Sequence, residues 1–546
     1  MAARVKDCVG GRDHKYGLRL GRMNRQSQTR RVVIVGAGPG GLAAAMLLAK
    51  AGAQVTVVEK RSVVGGRTST MEVDGFRFDT GPTFFLYPRV LREIFSACGY
   101  SLDEEVPMMR LDPQYRLVFG GREGESAKHL DATPDVERMK QAIAAISPED
   151  ATRLENYFQD NRRKLERFAP ILQTPFESWT DLARAEMLKL LPLVRPWRSL
   201  DSDLRRHFRD ERIRLGFSFQ SKYLGMSPFS CPSLFSILSF LEYEHGVFHP
   251  IGGCGAVTHA MARIAERMGV TILLDRAVEE IHFDGRRAVG VRTDCETLAA
   301  DAVVVNADFA QAMERMIPNR LRRRWSDKRI RSKRYSCSTF MMYLGIDGRF
   351  EALPHHTIYL AADYRRNLND IERDHKLTLD DASFYVQNAC VTDETLAPKG
   401  MSTLYVLVPV THESRNVNWR DEEPRLRAAT LRQLEKIGVN DVERRIRVER
   451  RLTPTTWKSE FGLHLGATFS MAHSLDQMLH LRPHNRFEDV DGVYLVGGGT
   501  HPGSGLPVIF ESARISARLL LEDLEMEPRW NESRQMDRQA AYEVAR

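Results

Sequence analysis

Three glycines near the start of the chain have the spacing that binds a pyrophosphate. Gly36, Gly38 and Gly41 form a G-x-G-x-x-G motif between the apolar run 32–35, which predicts a strand, and the run 42–51, which is rich in alanine and leucine and predicts a helix. Gly36 permits a tight turn, Gly38 lets the backbone approach a pyrophosphate, and Gly41 lets helix and strand pack closely. The N–H groups at the N-terminus of that helix would face the phosphates.

An acid and a second glycine turn follow where a ribose and a diphosphate would need them. Glu59 ends the second predicted strand, 18 residues beyond Gly41, and its carboxylate can accept hydrogen bonds from ribose hydroxyls. Gly66 and Arg67 then offer backbone amides and a guanidinium to the diphosphate. A glycine turn that binds nothing is the alternative interpretation, and the combination of strand, helix and acid argues against it.

A second glycine-rich turn lies more than 450 residues further along the chain. The predicted strand 493–496 leads into the turn 497–507, and a helix is predicted from about 510 to 524. A strand, glycines and a helix N-terminus form another corner that can hold an anion. The large separation predicts that both ends of the chain close on one ligand.

The elements that must position these motifs suggest an α/β fold with a discontinuous Rossmann-type dinucleotide domain and an inserted α+β substrate domain. Short β-runs fill residues 270–306, with a hairpin turn at 284–285, whereas 135–245 is mostly helical. We expect 30–110, 246–330 and 485–525 to form the dinucleotide domain, 111–245 and 331–484 the substrate domain, 1–29 a disordered basic extension and 526–546 a tail.

Composition limits the partners. The chain has 546 residues, 42% hydrophobic and 28% charged, with a net charge of +7 and a pI of about 9.0, which favours an anionic surface such as phospholipid without requiring it. Nucleic acid is not expected, because no zinc-finger spacing or RNA-binding aromatic signature is present. The seven cysteines form no C-x-x-C pair, so we expect neither disulfides nor a metal site, and a reducing cytoplasm.

One segment imitates a membrane anchor. Arg30 and Arg31 precede the apolar run 32–49, but the glycines of the first motif would interrupt a spanning helix. No other stretch reaches the roughly 18 to 20 apolar residues that a span requires. Residues 187–200, which include Trp197, could lie in a membrane interface or be a packed helix. We therefore expect a cytoplasmic protein attached peripherally to the inner face of the cell membrane.

Beyond these motifs, the chain resembles the phytoene desaturases of bacteria and fungi over about residues 31 to 525. The motifs at 36–67 are typical of the wider flavoprotein superfamily, which includes amine oxidases. The stretches specific to the carotenoid branch are GVFHPIGGCGAV from Gly246, CVTDETLAP from Cys390, RPHNR from Arg482 and YLVGGGTHPGSGLP from Tyr494, and GFRFDTGPT from Gly75 and VVVNAD from Val303 also match.

The resemblance implies FAD as cofactor and oxidation of C–C single bonds to double bonds along an apolar polyene, with a quinone or oxygen reoxidising the flavin. The protein would hold such a hydrocarbon substrate only by burying it against apolar side chains. His501 is the one titratable side chain in a flavin-facing motif, so it is the candidate proton acceptor or a positioning residue. The implied FAD-binding residues are Gly36, Gly38, Gly40, Gly41, Glu59, Lys60, Gly66, Arg67, Gly81, Pro82, Thr83, Val278, Gly498, Gly499, Gly505 and Pro507.

Several alternatives stay open. Pro507 leads into Val508, Ile509, Phe510 and Glu511, where many phytoene desaturases have glycine and small residues. This run looks more like relatives acting on C30 precursors or partly desaturated carotenoids. A carotenoid isomerase or a terminal-methyl carotenoid oxidase would share the motifs, and a flavin-binding protein without catalytic activity is the rival from another class. The sequence 501–503 argues against an amine oxidase. The sequence does not indicate an oligomeric state.

Overall fold

The computed structural model describes residues 29–121, 128–182 and 185–530. Residues 1–28 of the predicted extension 1–29 and residues 531–546 of the predicted tail 526–546 lie outside the described residues. A parallel sheet carries the nucleotide motifs, and each of its strands pairs in parallel with its neighbour. Its strands, in spatial order, are Thr271–Leu273, Gln54–Val58, Arg31–Val35, Ala302–Val305 and Val493–Leu495.

A larger mixed sheet forms the wall opposite the nucleotide motifs. Its strands are, in spatial order, Ile446–Leu452, Ser338–Asp347, Met401–Val410, Phe384–Gln387, His356–Leu360, Tyr115–Phe119 and Lys128–Ala132. Three small sheets complete the β-structure of the described residues. The first consists of Val278–Asp284, Arg287–Thr293 and Thr297–Ala299, and the second of Thr70–Val73 and Phe76–Asp79. The third consists of Phe85–Leu86, Val247–Pro250 and Met108–Arg110.

The helices Pro39–Ala51, Cys254–Arg267 and Leu506–Asp523 pack on one face of the parallel sheet, and Phe309–Met316 packs on the other. The helices of at least eight residues are Pro39–Ala51, Arg89–Cys98, Val136–Ala144, Leu154–Leu172, Ala185–Val194, Ser236–His245, Cys254–Arg267, Phe309–Met316, Tyr364–Glu372, Trp419–Leu434, Pro454–Phe461 and Leu506–Asp523. The short ones are Leu102–Glu105, Pro148–Ala151, Trp179–Leu182, Leu200–Leu204, Glu211–Gly216, Asp327–Arg331 and Val442–Arg445.

The first crossover forms because its helix is apolar on nearly every side. Pro39–Ala51 packs between the parallel sheet and the helix Leu506–Asp523, and ten of its thirteen residues are buried. Such a helix is stable only in the interior, where burial of each large aliphatic side chain contributes roughly 1.5 to 3 kcal/mol. The first and last segments of the chain therefore share one core, and the predicted α/β class is confirmed.

Most predicted elements are found, with shifted ends. The hairpin at 284–285 is confirmed between Val278–Asp284 and Arg287–Thr293. The first helix begins at Pro39 rather than Leu42, and the last begins at Leu506 rather than near Phe510. Both predictions were wrong for one reason: proline is tolerated in the first helical turn, where its missing N–H has no partner to lose. The domain boundaries stay a prediction.

No helix within the described residues is long and apolar enough to cross a membrane. The segment 32–49, which imitates an anchor in the sequence, is a buried strand, turn and helix.

Candidate functional site

A single cavity of about 620 Å³ connects the two glycine-rich turns with the larger sheet. Fourteen of the sixteen predicted FAD-binding residues line it, although they come from five separate parts of the chain. They are Gly36, Gly38, Glu59, Lys60, Gly66, Arg67, Gly81, Pro82, Thr83, Val278, Gly498, Gly499, Gly505 and Pro507.

The two glycines that do not line the cavity pack its wall. A Cβ on Gly41 would lie 2.2 Å from the carbonyl oxygen of Gly36, and one on Gly40 would lie 2.6 Å from Cγ1 of Val496. Neither contact is possible for a real side chain, so the helix approaches the strand closely only with glycine at both positions. The helix N-terminus at Gly38 has no side-chain cap, which leaves its N–H groups for a ligand.

Glu59 and the second glycine turn lie against the first. Oε2 of Glu59 accepts a hydrogen bond from the N–H of Ala37 at 2.9 Å, and Oε1 accepts one from Arg61 at 3.0 Å. The N–H of Gly65 donates to the carbonyl of Ala37 at 2.8 Å. Because each carboxylate oxygen can accept a second hydrogen bond, Glu59 retains capacity for ribose hydroxyls. Burial lowers the pKa of neighbouring Lys60, although Glu59 opposes the shift.

Arg67 is a cation without a carboxylate at ion-pair distance among the described residues. It lines the cavity and donates a hydrogen bond to the backbone carbonyl of Thr468. Burial lowers its pKa, and the carboxylate of Asp308 opposes that shift. A half-buried guanidinium is stable only with an anionic or accepting partner. The free N–H groups, the acid and this cation therefore fit the ADP half of a dinucleotide.

Sequence reasoning missed residues on the strand ends between the glycine turns. Asn306 directly follows the strand Ala302–Val305, lines the cavity and donates from Nδ2 to the carbonyl of Gly36 at 3.1 Å. Asp308, two residues on, caps the helix Phe309–Met316 by accepting from the N–H of Gln311 at 3.1 Å. The sequence did carry a signal for Asn306: it is a polar residue at the carboxyl end of a central parallel strand, and ligands bind at that edge of such sheets.

His501 is the predicted site residue that the structure separates most clearly from the others. Its side chain is 1% exposed, packs edge-on against Phe176 and is not among the residues that line the cavity. Burial lowers its pKa to about 3, so the ring is neutral. His473 lines the cavity instead, and its Nε2 accepts a hydrogen bond from the N–H of Ser504 at 2.9 Å. The catalytic role of His501 stays a prediction, and its side chain does not line the cavity.

Three of the motifs quoted for the family meet beside the 81–83 turn. Asp79 accepts hydrogen bonds from the N–H groups of Cys254 and Gly255 at 2.8 and 2.9 Å. Nε2 of His249 lies 3.0 Å from Oδ2 of Asp393, both side chains being at most 1% exposed. These contacts join segments more than 140 residues apart in sequence. The motifs thus fix the position of the 81–83 turn, which lines the cavity.

Most of the side chains that line the cavity away from the glycine turns are apolar, with Lys222, Asn367 and Ser383 among the polar exceptions. Its walls come from the helices Leu154–Leu172 and Ser236–His245 and from the larger sheet. The aliphatic and aromatic side chains that line it are Leu165, Phe168, Leu172, Phe219, Leu224, Leu234, Phe235, Ile237, Leu238, Leu241, Ile358, Leu360, Leu368, Phe384, Leu407 and Met478. Such a surface binds a long hydrocarbon by excluding water and offers a polar ligand few partners.

A buried carboxyl lies behind the aromatic wall of this apolar part. Glu242 is fully buried, and its Oε2 accepts from Gln220 Nε2 at 2.9 Å and from the Tyr115 hydroxyl at 3.0 Å. No cation compensates it within ion-pair distance in the described residues, and burial raises its pKa from 4.5 to about 7. The folded protein therefore holds a proton on Glu242 at pH values where the unfolded chain has released it.

This raised pKa predicts that stability falls as pH rises. Between about pH 4.5 and 7 the native state binds one proton more than the unfolded chain, on Glu242. The free energy of unfolding therefore falls by about 3 kcal/mol through this group by pH 8. Glu242→Gln keeps the shape without the charge and should abolish that loss in urea unfolding at pH 5 and pH 8. Glu244→Gln, at a surface ion pair with Arg162, is the control. An unchanged pH dependence in Glu242→Gln would contradict the assignment.

The sequence matches a known protein family. The profile of the flavin containing amine oxidoreductase family matches residues 39–521. The 4,4'-diapophytoene desaturase (4,4'-diapolycopene-forming) of Methylomonas sp is 40% identical over 90% of this chain and 96% of its own length. The all-trans-zeta-carotene desaturase of Myxococcus xanthus is 41% identical over 90% of this chain and 94% of its own length.

Solved structures share the fold. An oxidoreductase from Methanosarcina mazei superposes with a TM-score of 0.61 at 18% identity, covering 89% of this chain and 99% of the other. A double mutant of putrescine oxidase superposes with a TM-score of 0.60 at 18% identity, covering 91% and 99%.

Proposed function

Because the chain belongs to the flavin containing amine oxidoreductases and, within them, to the carotenoid desaturases, we propose that it introduces double bonds into phytoene or its C30 analogue diapophytoene. It is an FAD-dependent oxidoreductase. The observation that carries the proposal is the composition of the cavity, which is polar and glycine-lined at one end and apolar over the rest. A dinucleotide and a hydrocarbon require these two environments side by side.

The residues divide the work accordingly. The turn at 36–41, Glu59 and Arg67 would hold the ADP half of FAD, and the turns at 81–83 and 497–507 would approach the flavin. When bound, the flavin supplies the two-electron oxidation by accepting hydride from carbon. The protein orients the polyene and excludes water, since a hydrocarbon has no group to which a side chain could hydrogen-bond.

The C30 analogue is the substrate that we favour. Val508 and Ile509 line the cavity directly after the last glycine turn, where many phytoene desaturases have small residues. This departure resembles relatives that act on C30 precursors or on partly desaturated carotenoids. The Methylomonas relative, which is named for diapophytoene, supports the choice, whereas the zeta-carotene relative supports a partly desaturated substrate.

We propose further that the protein takes its substrate from a membrane surface. Four large apolar side chains are exposed on neighbouring segments: Trp179 (64%), Trp197 (67%), Leu191 (42%) and Leu475 (49%). They flank an apolar cluster whose members Phe168, Leu234, Ile237 and Met478 also line the cavity. An exposed apolar patch continuous with an apolar cavity is suited to peripheral contact with lipid.

Removing the two tryptophans tests this surface. Trp179→Ser with Trp197→Ser should weaken binding to phospholipid vesicles about 10- to 100-fold, because two large exposed rings no longer enter the interface. Vesicle pelleting measures the effect. Val289→Ser, which removes an exposed apolar side chain from the strand Arg287–Thr293, is the matched control. Equal pelleting of the double variant and the wild type would contradict the proposed surface.

Expression in bacteria that accumulate either phytoene or diapophytoene tests the proposed reaction. We expect coloured products that have lost hydrogen in pairs, and the strain that gains colour identifies the chain length. A product of unchanged mass would indicate an isomerase, and added oxygen a terminal-methyl oxidase. If neither strain changes, the protein does not desaturate these precursors.

A further inference from the structure

A hydrogen-bonded chain leads from the cavity surface into the protein at Tyr385. The Tyr385 hydroxyl lies 2.7 Å from Oγ1 of Thr83 and 2.8 Å from Nδ1 of His356. Thr83 and Tyr385 both line the cavity, whereas His356 does not and is fully buried. Thr83 ends the 81–83 turn, so this phenol lies beside the part of the cavity assigned to the flavin.

The surroundings of His356 keep its ring neutral and fixed. Phe84 stacks on the ring with centroids 4.0 Å apart and planes inclined by 13°, and the His355 ring lies 4.4 Å away. Burial lowers the pKa of His356 well below its ordinary value, and His249 adds to the shift. Nε2 has no hydrogen-bond partner among the described residues. A neutral imidazole with Nε2 protonated can accept the Tyr385 proton at Nδ1.

We infer that Tyr385 receives the proton that leaves the polyene and passes its own to His356. The inference rests on the proposed desaturation. Each new double bond breaks two C–H bonds: one hydrogen leaves as hydride to the flavin, and the other leaves as a proton to the phenol oxygen of Tyr385. The electron pair of that second bond becomes the π bond. The Tyr385 proton moves to Nδ1 of His356, which becomes an imidazolium during the step. Burial disfavours that charge, but loss of hydride makes the neighbouring C–H acidic enough to protonate a weak base.

The other polar groups of the cavity are poorer acceptors. Lys222 is protonated and forms an ion pair with Glu372 at 3.1 Å, so it has no free lone pair. His473 accepts a backbone N–H at Nε2, which places its own proton on Nδ1 and leaves no acceptor. Glu59 and Asp308 lie at the ADP end and already accept backbone hydrogen bonds. The Tyr359 hydroxyl also has a base behind it, but that base, Asp381, is already ion-paired with Lys436 at 2.6 Å. Tyr385 is a neutral hydroxyl backed by a base without an ion-pair partner, and it lies beside the 81–83 turn.

Tyr385→Phe tests the inference, because it removes only the hydroxyl. In the FAD-loaded protein with diapophytoene in vesicles, we expect the limiting rate of anaerobic flavin bleaching to fall about 100-fold. The half-saturating substrate concentration should change by less than about twofold, because a hydroxyl cannot strengthen binding of a hydrocarbon. FAD content and retention of a fully conjugated polyene, measured without turnover, should equal those of the wild type.

Two further variants make each outcome decisive. Tyr494→Phe is the control for loss of a tyrosine hydroxyl. The Tyr494 hydroxyl donates to Asp523 at 2.6 Å, and Tyr494 does not line the cavity. His356→Gln, which can still hydrogen-bond to Tyr385 but cannot take up a proton, should show the same loss of rate and substitutes for Tyr385→Phe if that variant fails to fold. Bleaching at the wild-type rate in a folded variant, or a loss that appears only as weaker substrate binding, would overturn the inference. If the wild type itself does not bleach with any polyene, the proposed function fails instead.

Discussion

Replacing Gly36 by alanine should abolish FAD binding, whereas the same replacement at Gly99 should leave it intact. Gly36 has a φ of +99°, and a Cβ there would lie 2.6 Å from the backbone carbonyl oxygen of Asn306. That carbonyl belongs to the strand-end turn of the parallel sheet, so it cannot move aside as a flexible side chain could. Gly99 has nearly the same φ, +91°, but nothing lies within 4 Å of its Cβ position.

The pair separates backbone strain from loss of the site. Both variants carry the strain of alanine in the left-handed region, on the order of 1 kcal/mol, and only Gly36→Ala also displaces the strand end from the pyrophosphate turn. Flavin absorbance per mole of purified protein measures the difference. We expect stoichiometric FAD in Gly99→Ala and less than about a tenth of that in Gly36→Ala. Normal FAD content in Gly36→Ala would show that this turn does not hold the cofactor.

A carboxylate in the apolar part of the cavity should stop desaturation without releasing FAD. Leu238, on the helix Ser236–His245, lines the cavity away from the glycine turns. Glutamate at this position must be buried against a hydrocarbon that cannot hydrogen-bond to it, at a cost of several kcal/mol in either protonation state. We expect polyene conversion to fall at least about 100-fold in Leu238→Glu, with FAD content unchanged.

Pigment formed per mole of bound FAD is the appropriate measurement, because it separates the substrate part of the cavity from the cofactor part. Val136→Glu, which introduces the same charge at an exposed residue in the first turn of a helix, should convert the polyene as the wild type does. Undiminished conversion by Leu238→Glu would mean that the polyene does not pass this wall.

Local patterns were enough to predict which residues line the glycine-rich end of the cavity. The glycines at 36–41, the acid at Glu59 and the turn at 66–67 lie within one crossover, so their spacing alone specifies their geometry. The glycine-rich turn near the C-terminus joins them because its strand, Val493–Leu495, pairs in parallel with Ala302–Val305. Continuous apolar runs predicted those strands. Proline in the first helical turn explains why the helices Pro39–Ala51 and Leu506–Asp523 begin earlier than predicted.

The substrate part of the site could not be predicted in this way. Tyr385 and His356 lie on adjacent antiparallel strands of the larger sheet, and Thr83 meets them across some 300 residues of sequence. No local spacing signals such a contact, since it depends on strand order and register. His501 shows the same limit: its place in the C-terminal glycine motif suggested chemistry, but the motif alone does not give the direction of its ring, which packs against Phe176.

The most direct test of the account is anaerobic mixing of the purified, FAD-loaded protein with vesicles that contain diapophytoene or phytoene. The account predicts that the visible absorbance of the flavin disappears, and that one pair of hydrogens is lost from the polyene for each flavin reduced, as read by mass. A flavin that stays oxidised with every acyclic polyene, in vesicles and in detergent alike, would contradict the assignment of this cavity to carotenoid desaturation.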